Sequence, residues 1–149
     1  MSDNREEFVR ALEETSSMYA EKTTRLSRLV SRLELLLANL PGKTEAEVTG
    51  IYGGALQFCR LRDGWGLQFT EYDKDGNAEI FHVGDAPVRI KVRVACLLPA
   101  LFEAITTHQA TQLESVKEGL AAIESIPWLD ADSEIENAIN DERRNEVPF

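Results

Sequence analysis

A chain of 149 residues that is 43% hydrophobic and 28% charged has enough apolar material for one domain with a real core. No run in it approaches the roughly 18 apolar residues that cross a bilayer, so no membrane span is expected. Its net charge of -10 argues against general nucleic-acid binding, because an acidic surface repels a phosphate backbone. The excess is uneven: residues 1–43 carry seven basic and seven acidic side chains, and residues 94–149 carry three against eleven.

The start, Met1 to Glu7, is polar and acidic where a signal peptide would be basic and then apolar, and a cytoplasmic location is expected. The chain then shows a seven-residue ladder. Leu12, Tyr19, Leu26, Leu33 and Leu40 form one rail, and Val9, Ser16, Thr23, Val30 and Leu37 each stand three residues before a rung. Written as a heptad these are d and a positions, the seam of a coiled coil. The spacing predicts a helix over 5–40, about 54 Å long at 1.5 Å per residue, stopped by Pro41 and Gly42. Such a helix depends on whatever covers its seam, the more so with polar Ser16 and Thr23 at two a positions.

Gly42, Gly50, Gly53 and Gly54 then mark a loop or a frayed first strand, with Val48, Ile51 and Tyr52 as anchors. Over 55–83 the period changes to two. Leu56, Phe58 and Leu61 lead to a turn at Asp63-Gly64; Trp65, Leu67, Phe69 and Tyr72 lead to a turn at Asp73-Lys74-Asp75-Gly76-Asn77; Ile80 and Val83 follow. This predicts a three-stranded antiparallel meander in an α+β fold.

Residues 88–94 alternate as a strand would, yet a helix over 86–126 is the better reading. Asp85 is placed as an N-cap and Pro87 in the first turn, and Val88, Val92, Ala95, Phe102, Ile105, Leu113, Val116, Leu120 and Ile123 keep near-helical spacing. Pro99 would bend the axis. The second helix is expected to fold back antiparallel on the first and cover its seam, with Glu103, Glu114, Glu118 and Glu124 facing Lys22, Arg25, Arg28 and Arg32. Together these elements make one domain over 1–127. Residues 128–149 read as an acidic tail with a short helix over 133–140, and Trp128 and Leu129 as anchors on the same chain or on another subunit.

Motifs with chemistry are sparse. Cys59 and Cys96 lack CxxC spacing and read as reduced thiols. With His82 and His108 as the only histidines, neither near a carboxylate or thiol cluster, no metal site is expected. The segment from Asp73 begins like a calcium loop, but Ala78 stands at its sixth position and Gly84 at its twelfth, where glycine and glutamate belong. No cofactor motif and no nucleophile with a base is found, so catalysis is not expected.

Two sets of residues remain as candidates. Arg60, Arg62, Trp65, His82, Arg89 and Arg93 could line a cleft for an anion, since guanidinium forks suit carboxylate or phosphate. Val9, Leu12, Tyr19, Leu26, Val30, Leu33 and Leu37, with Trp128 and Leu129, could form an interface. The leading expectation is a non-enzymatic protein-protein interaction module, self-associating as a homodimer. The alternatives are a small-anion-binding domain or enzyme built on the arginines, and an acidic inhibitor of a basic partner.

Overall fold

The computed structural model describes residues 2–50 and 53–128. The chain divides into two compact units, Met1–Gln109 and Ala110–Phe149. In chain order the elements are α1 (Ser2–Ala38), β1 (Ala46–Thr49), β2 (Gly54–Leu61), β3 (Gly64–Tyr72), β4 (Ala78–His82), a single 3-10 turn (Val83–Asp85) and α2 (Val88–Glu124).

The strands form a four-stranded antiparallel sheet in the order β1-β2-β3-β4. The expectation of three strands is therefore corrected. The added strand, β1, lies in the glycine-rich stretch, where Ala46 pairs with Phe58 and Val48 with Leu56. It has only four residues, too few for alternation to show, and its stability comes from the β2 edge it completes. The two turns fall where aspartate-glycine pairs placed them. Gly64 (φ 132°) and Gly76 (φ 82°) adopt the positive φ that glycine tolerates, and Asp73 Oδ1 accepts hydrogen bonds from the Asp75 and Asn77 N–H groups at 2.9 and 2.8 Å.

One face of the sheet is apolar. Alternation puts Leu56 and Phe58 of β2, Leu67 and Phe69 of β3, Phe81 of β4 and Val48 of β1 on that side, and the two helices cover it. From α1 come Val30 and Leu37, both 2% exposed. From α2 comes the line Ile90, Val94, Leu98, Leu101 and Ile105, at steps of four and three. Val83 and Ala86, in the link before α2, close one side of this core.

Residues 88–94 are helical, as read, but the buried line is Ile90 and Val94 while Val92 is exposed. The strand-like alternation holds two helical subsets, and the packing selects one. The helix starts with the Pro87 carbonyl accepting the N–H groups of Ile90 and Lys91 at 3.0 and 3.1 Å. It continues through Pro99, which lies on the exposed side. Asp85, expected as a cap, ends the 3-10 turn instead.

The expected antiparallel packing of the helices is also corrected. Lys91 Nζ donates to Ser27 Oγ at 3.4 Å, and Gln109 Nε2 donates to the carbonyl of Gly42, just past the end of α1. As one helix advances so does the other, so within Met1–Gln109 they cross the sheet in the same sense. Each helix finds its cover mainly on the sheet. No helix among the described residues is long and apolar enough to cross a membrane.

Candidate functional site

The end of α1 makes the most specific polar contact with the sheet. β4 pairs with β3 only as far as His82, opposite Gln68, so the next outward N–H of β3, that of Leu67, has no strand beside it. Glu34 fills the place: its Oε2 accepts that N–H at 2.7 Å. A β-carbon on Gly66 would lie 3.2 Å from the same oxygen and 2.9 Å from Leu61 Cδ1, so glycine there leaves room for the carboxylate. Sequence reasoning passed over Glu34. The signal was that it is the only charged residue from Leu33 to Leu40.

Beside this contact runs an open groove of about 410 Å³, lined on its polar side by Glu34, Arg62, Asp63, His82 and Asp85 and on its apolar side by residues including Leu35 and Trp65. The Trp65 ring leans on Phe58, with centroids 5.2 Å apart. Three of the six residues expected to hold an anion, Arg62, Trp65 and His82, thus come together here, but among three carboxylates. Arg60 pairs across the ladder with Trp65 and is exposed.

Arg89 and Arg93 go elsewhere. Arg89 Nη1 lies 2.8 Å from Glu71 Oε2, and Arg93 Nη1 lies 3.8 Å from Glu71 Oε1. Arg89 also sits over the Phe81 ring (5.8 Å) and Arg93 over the Phe69 ring (5.0 Å). Glu71 is six residues along β3 from Trp65, roughly 20 Å at about 3.3 Å per residue. The arginines therefore serve two places. Those of α2 clamp the helix to the sheet through a carboxylate that shares its face with Leu67 and Phe69. Gly54, opposite Glu71, makes this approach possible, since a β-carbon there would overlap the Phe69 ring and come within 2.7 Å of Arg93 Nη2.

Cys59 is buried and Cys96 exposed, both free. Burial, and secondarily the nearby charge of Glu45, pushes the Cys59 thiol above its ordinary pKa. Among the described residues no group of three or more His, Cys, Asp or Glu side chains is placed to hold a metal ion.

The apolar ladder of α1 divides in two. Val30 and Leu37 are in the core, and Leu26 and Leu33 are partly buried against it. The earlier part of the same stripe is bare: Val9 is 42%, Leu12 58% and Tyr19 64% exposed, with Phe8 beside them at 73%. In the second unit the helical line Leu113, Val116, Leu120 and Ile123 is likewise exposed, as is Trp128. Leu129 and the short helix expected over 133–140 lie outside the described residues. Comparison with protein-family models, with curated proteins and with solved structures returns no significant match, so the functional reading stands on these surfaces alone.

Proposed function

We propose that the protein is a non-catalytic assembly module that self-associates through the bare half of the α1 ladder. The observation that carries this reading is the continuity of the stripe. The heptad that buries Val30 and Leu37 in the protein's own core runs on through Leu26, Tyr19 and Leu12 on its d rail and, past polar Thr23 and Ser16, to Val9 on its a rail, and Val9, Leu12 and Tyr19 are exposed. A seam of this geometry accepts another helix as knobs accept holes. A second copy is the partner proposed; residues 1–21 carry six acidic against two basic side chains, so its approach is opposed at low ionic strength and favoured when salt screens that charge.

The magnitude points to weak, reversible association. Four side chains from each copy, Phe8, Val9, Leu12 and Tyr19, contribute roughly 12 kcal/mol at about 1.5 kcal/mol apiece. Lost rigid-body freedom costs about 4–15 kcal/mol, and Ser16 adds a polar layer. Association in the micromolar range is expected.

Sedimentation velocity between about 1 and 500 µM tests it. In 300 mM salt wild type is expected to grow in mass with concentration, and Leu12→Asp with Tyr19→Asp to stay monomeric with unchanged thermal stability. A wild-type monomer throughout, or a variant that associates as wild type does, overturns the proposal. The anion-site reading is the weaker one, since Glu71 engages Arg89 and Arg93.

A further inference from the structure

A second surface lies beside the ladder on α1, about 100° around the helix from Val30 and Leu37. There Leu29 and Leu36, seven residues apart and so on one line of the helix, are 43% and 57% exposed, with Leu35 at 62% nearby. Lys22, Arg25, Arg28 and Arg32 surround that line, all exposed and none in an ion pair among the described residues. From Lys22 to Arg32 the sequence contains no acidic residue. Four cations around a leucine line, on a chain whose net charge is -10, form a stretch of helix that draws an acidic surface in.

The chain itself carries an element of matching chemistry. The last part of α2 has the exposed line Leu113, Val116, Leu120 and Ile123, with Glu114, Glu118 and Glu124 against a single Lys117. Lys117 lies 3.5 Å from Glu114, which leaves Glu118 and Glu124 without an ion pair among the described residues. The acidic line is also long enough to cover the basic one. Leu113 to Ile123 spans about 15 Å and Leu29 to Leu36 about 10 Å, at 1.5 Å per residue.

We propose that the basic leucine line of α1, centred on Leu29 and Leu36, docks the acidic end of α2 from a second copy. This extends the self-association reading but uses none of the Val9–Tyr19 seam. Because the two surfaces differ, the contact closes at a dimer only where two copies exchange it reciprocally, and otherwise repeats from copy to copy as rings or open chains. Charges at the rim make it sensitive to ionic strength, since the screening length falls from about 30 Å at 0.01 M salt to about 8 Å at 0.15 M.

The test is made in the Leu12→Asp, Tyr19→Asp background, so that the seam does not contribute. By sedimentation velocity in 10 mM salt this protein is expected to keep a residual association that 300 mM salt removes. Arg25→Glu with Arg32→Glu abolishes it, and so does Glu118→Lys with Glu124→Lys. Mixing those two reversed proteins restores hetero-association, because each retains the surface the other lacks, and combining all four reversals in one chain restores self-association. A background protein that is monomeric at low salt overturns the proposal, as does a mixture that stays monomeric. Charge reversals that alter melting temperature without altering mass assign the contact to a single chain and overturn it equally. The seam reading is untouched by any of these results, since its test compares the background protein with wild type.

Discussion

Replacing Glu34 by alanine isolates the contact that ties α1 to the end of the sheet. Leu67 is fully buried and its N–H is held by Glu34 Oε2 at 2.7 Å, beyond the last residue of β4 that could have served. With the carboxylate gone that donor has no acceptor, and an unsatisfied buried N–H costs about 1–3 kcal/mol. Glu34→Gln keeps an acceptor oxygen on a side chain of the same length and gives up only the charge-assisted part of the bond, so its loss is expected to be about half as large. Urea denaturation followed by circular dichroism measures both, with the alanine variant shifted in midpoint and unchanged in slope. Amide exchange adds a local readout: Leu67 is expected to lose protection in Glu34→Ala and retain most of it in Glu34→Gln. Equal stabilities for all three proteins, or a Leu67 amide that exchanges at the wild-type rate without Glu34, would refute the reasoning.

Three further outcomes are expected. Gly54→Ala drives a methyl into the Phe69 ring and toward Arg93, and is expected to lower stability by about 1–3 kcal/mol in the same denaturation assay, with parallel loss of the Arg93 contact to Glu71. Thiol labelling with a chromogenic disulfide at pH 8 is expected to modify exposed Cys96 at once and buried Cys59 only as fast as the protein opens, with one rapid equivalent and one slow. The Asp73 carboxyl, held chiefly by the Asn77 N–H and also by that of Asp75, lies below its ordinary pKa of 3.8. Because the folded value is the depressed one, its support for the β3-β4 turn is present above the unfolded value and is lost as pH falls through the folded value. NMR titration of the side-chain carbon is expected to show a midpoint below 3.8, moving toward that value in urea.

Much of this fold is legible in the sequence wherever periodicity is long or turn chemistry is specific. The α1 ladder predicts an unbroken helix, and its ends come within a few residues of those observed. The Asp63-Gly64 and Asp73 to Asn77 segments predict both hairpin turns of β2, β3 and β4. What escapes is the part decided by partners distant in the chain. β1 is four residues among glycines and becomes a strand because Phe58 and Leu56 offer it a ladder. The antiparallel sense expected of two amphipathic helices beside a small sheet has only weak support from their charges, which contribute about 0–1 kcal/mol per exposed pair, whereas the apolar face of the sheet orients each helix separately.

The candidate residues follow the same division. The inward parity of Glu71 with Leu67 and Phe69 was readable, and with it a partner for Arg89 and Arg93. Glu34 was not, because its acceptor role exists only where β4 runs out. The ladder residues split by position along one helix, a distinction that no local pattern contains: Val30 and Val9 occupy equivalent heptad places, yet one is in the core and the other stands in water.

The two border strands of the sheet, β1 and β4, have four and five residues. A foreign strand laid along either finds only two or three main-chain partners before the backbone turns away, and where β4 leaves β3 uncovered a negatively charged side chain already occupies the gap. The sheet is thereby hard to lengthen by accretion of other extended chains, the route that ends in fibrils. The exposed large apolar side chains lie mostly on the helices, where an added strand finds no ladder to join.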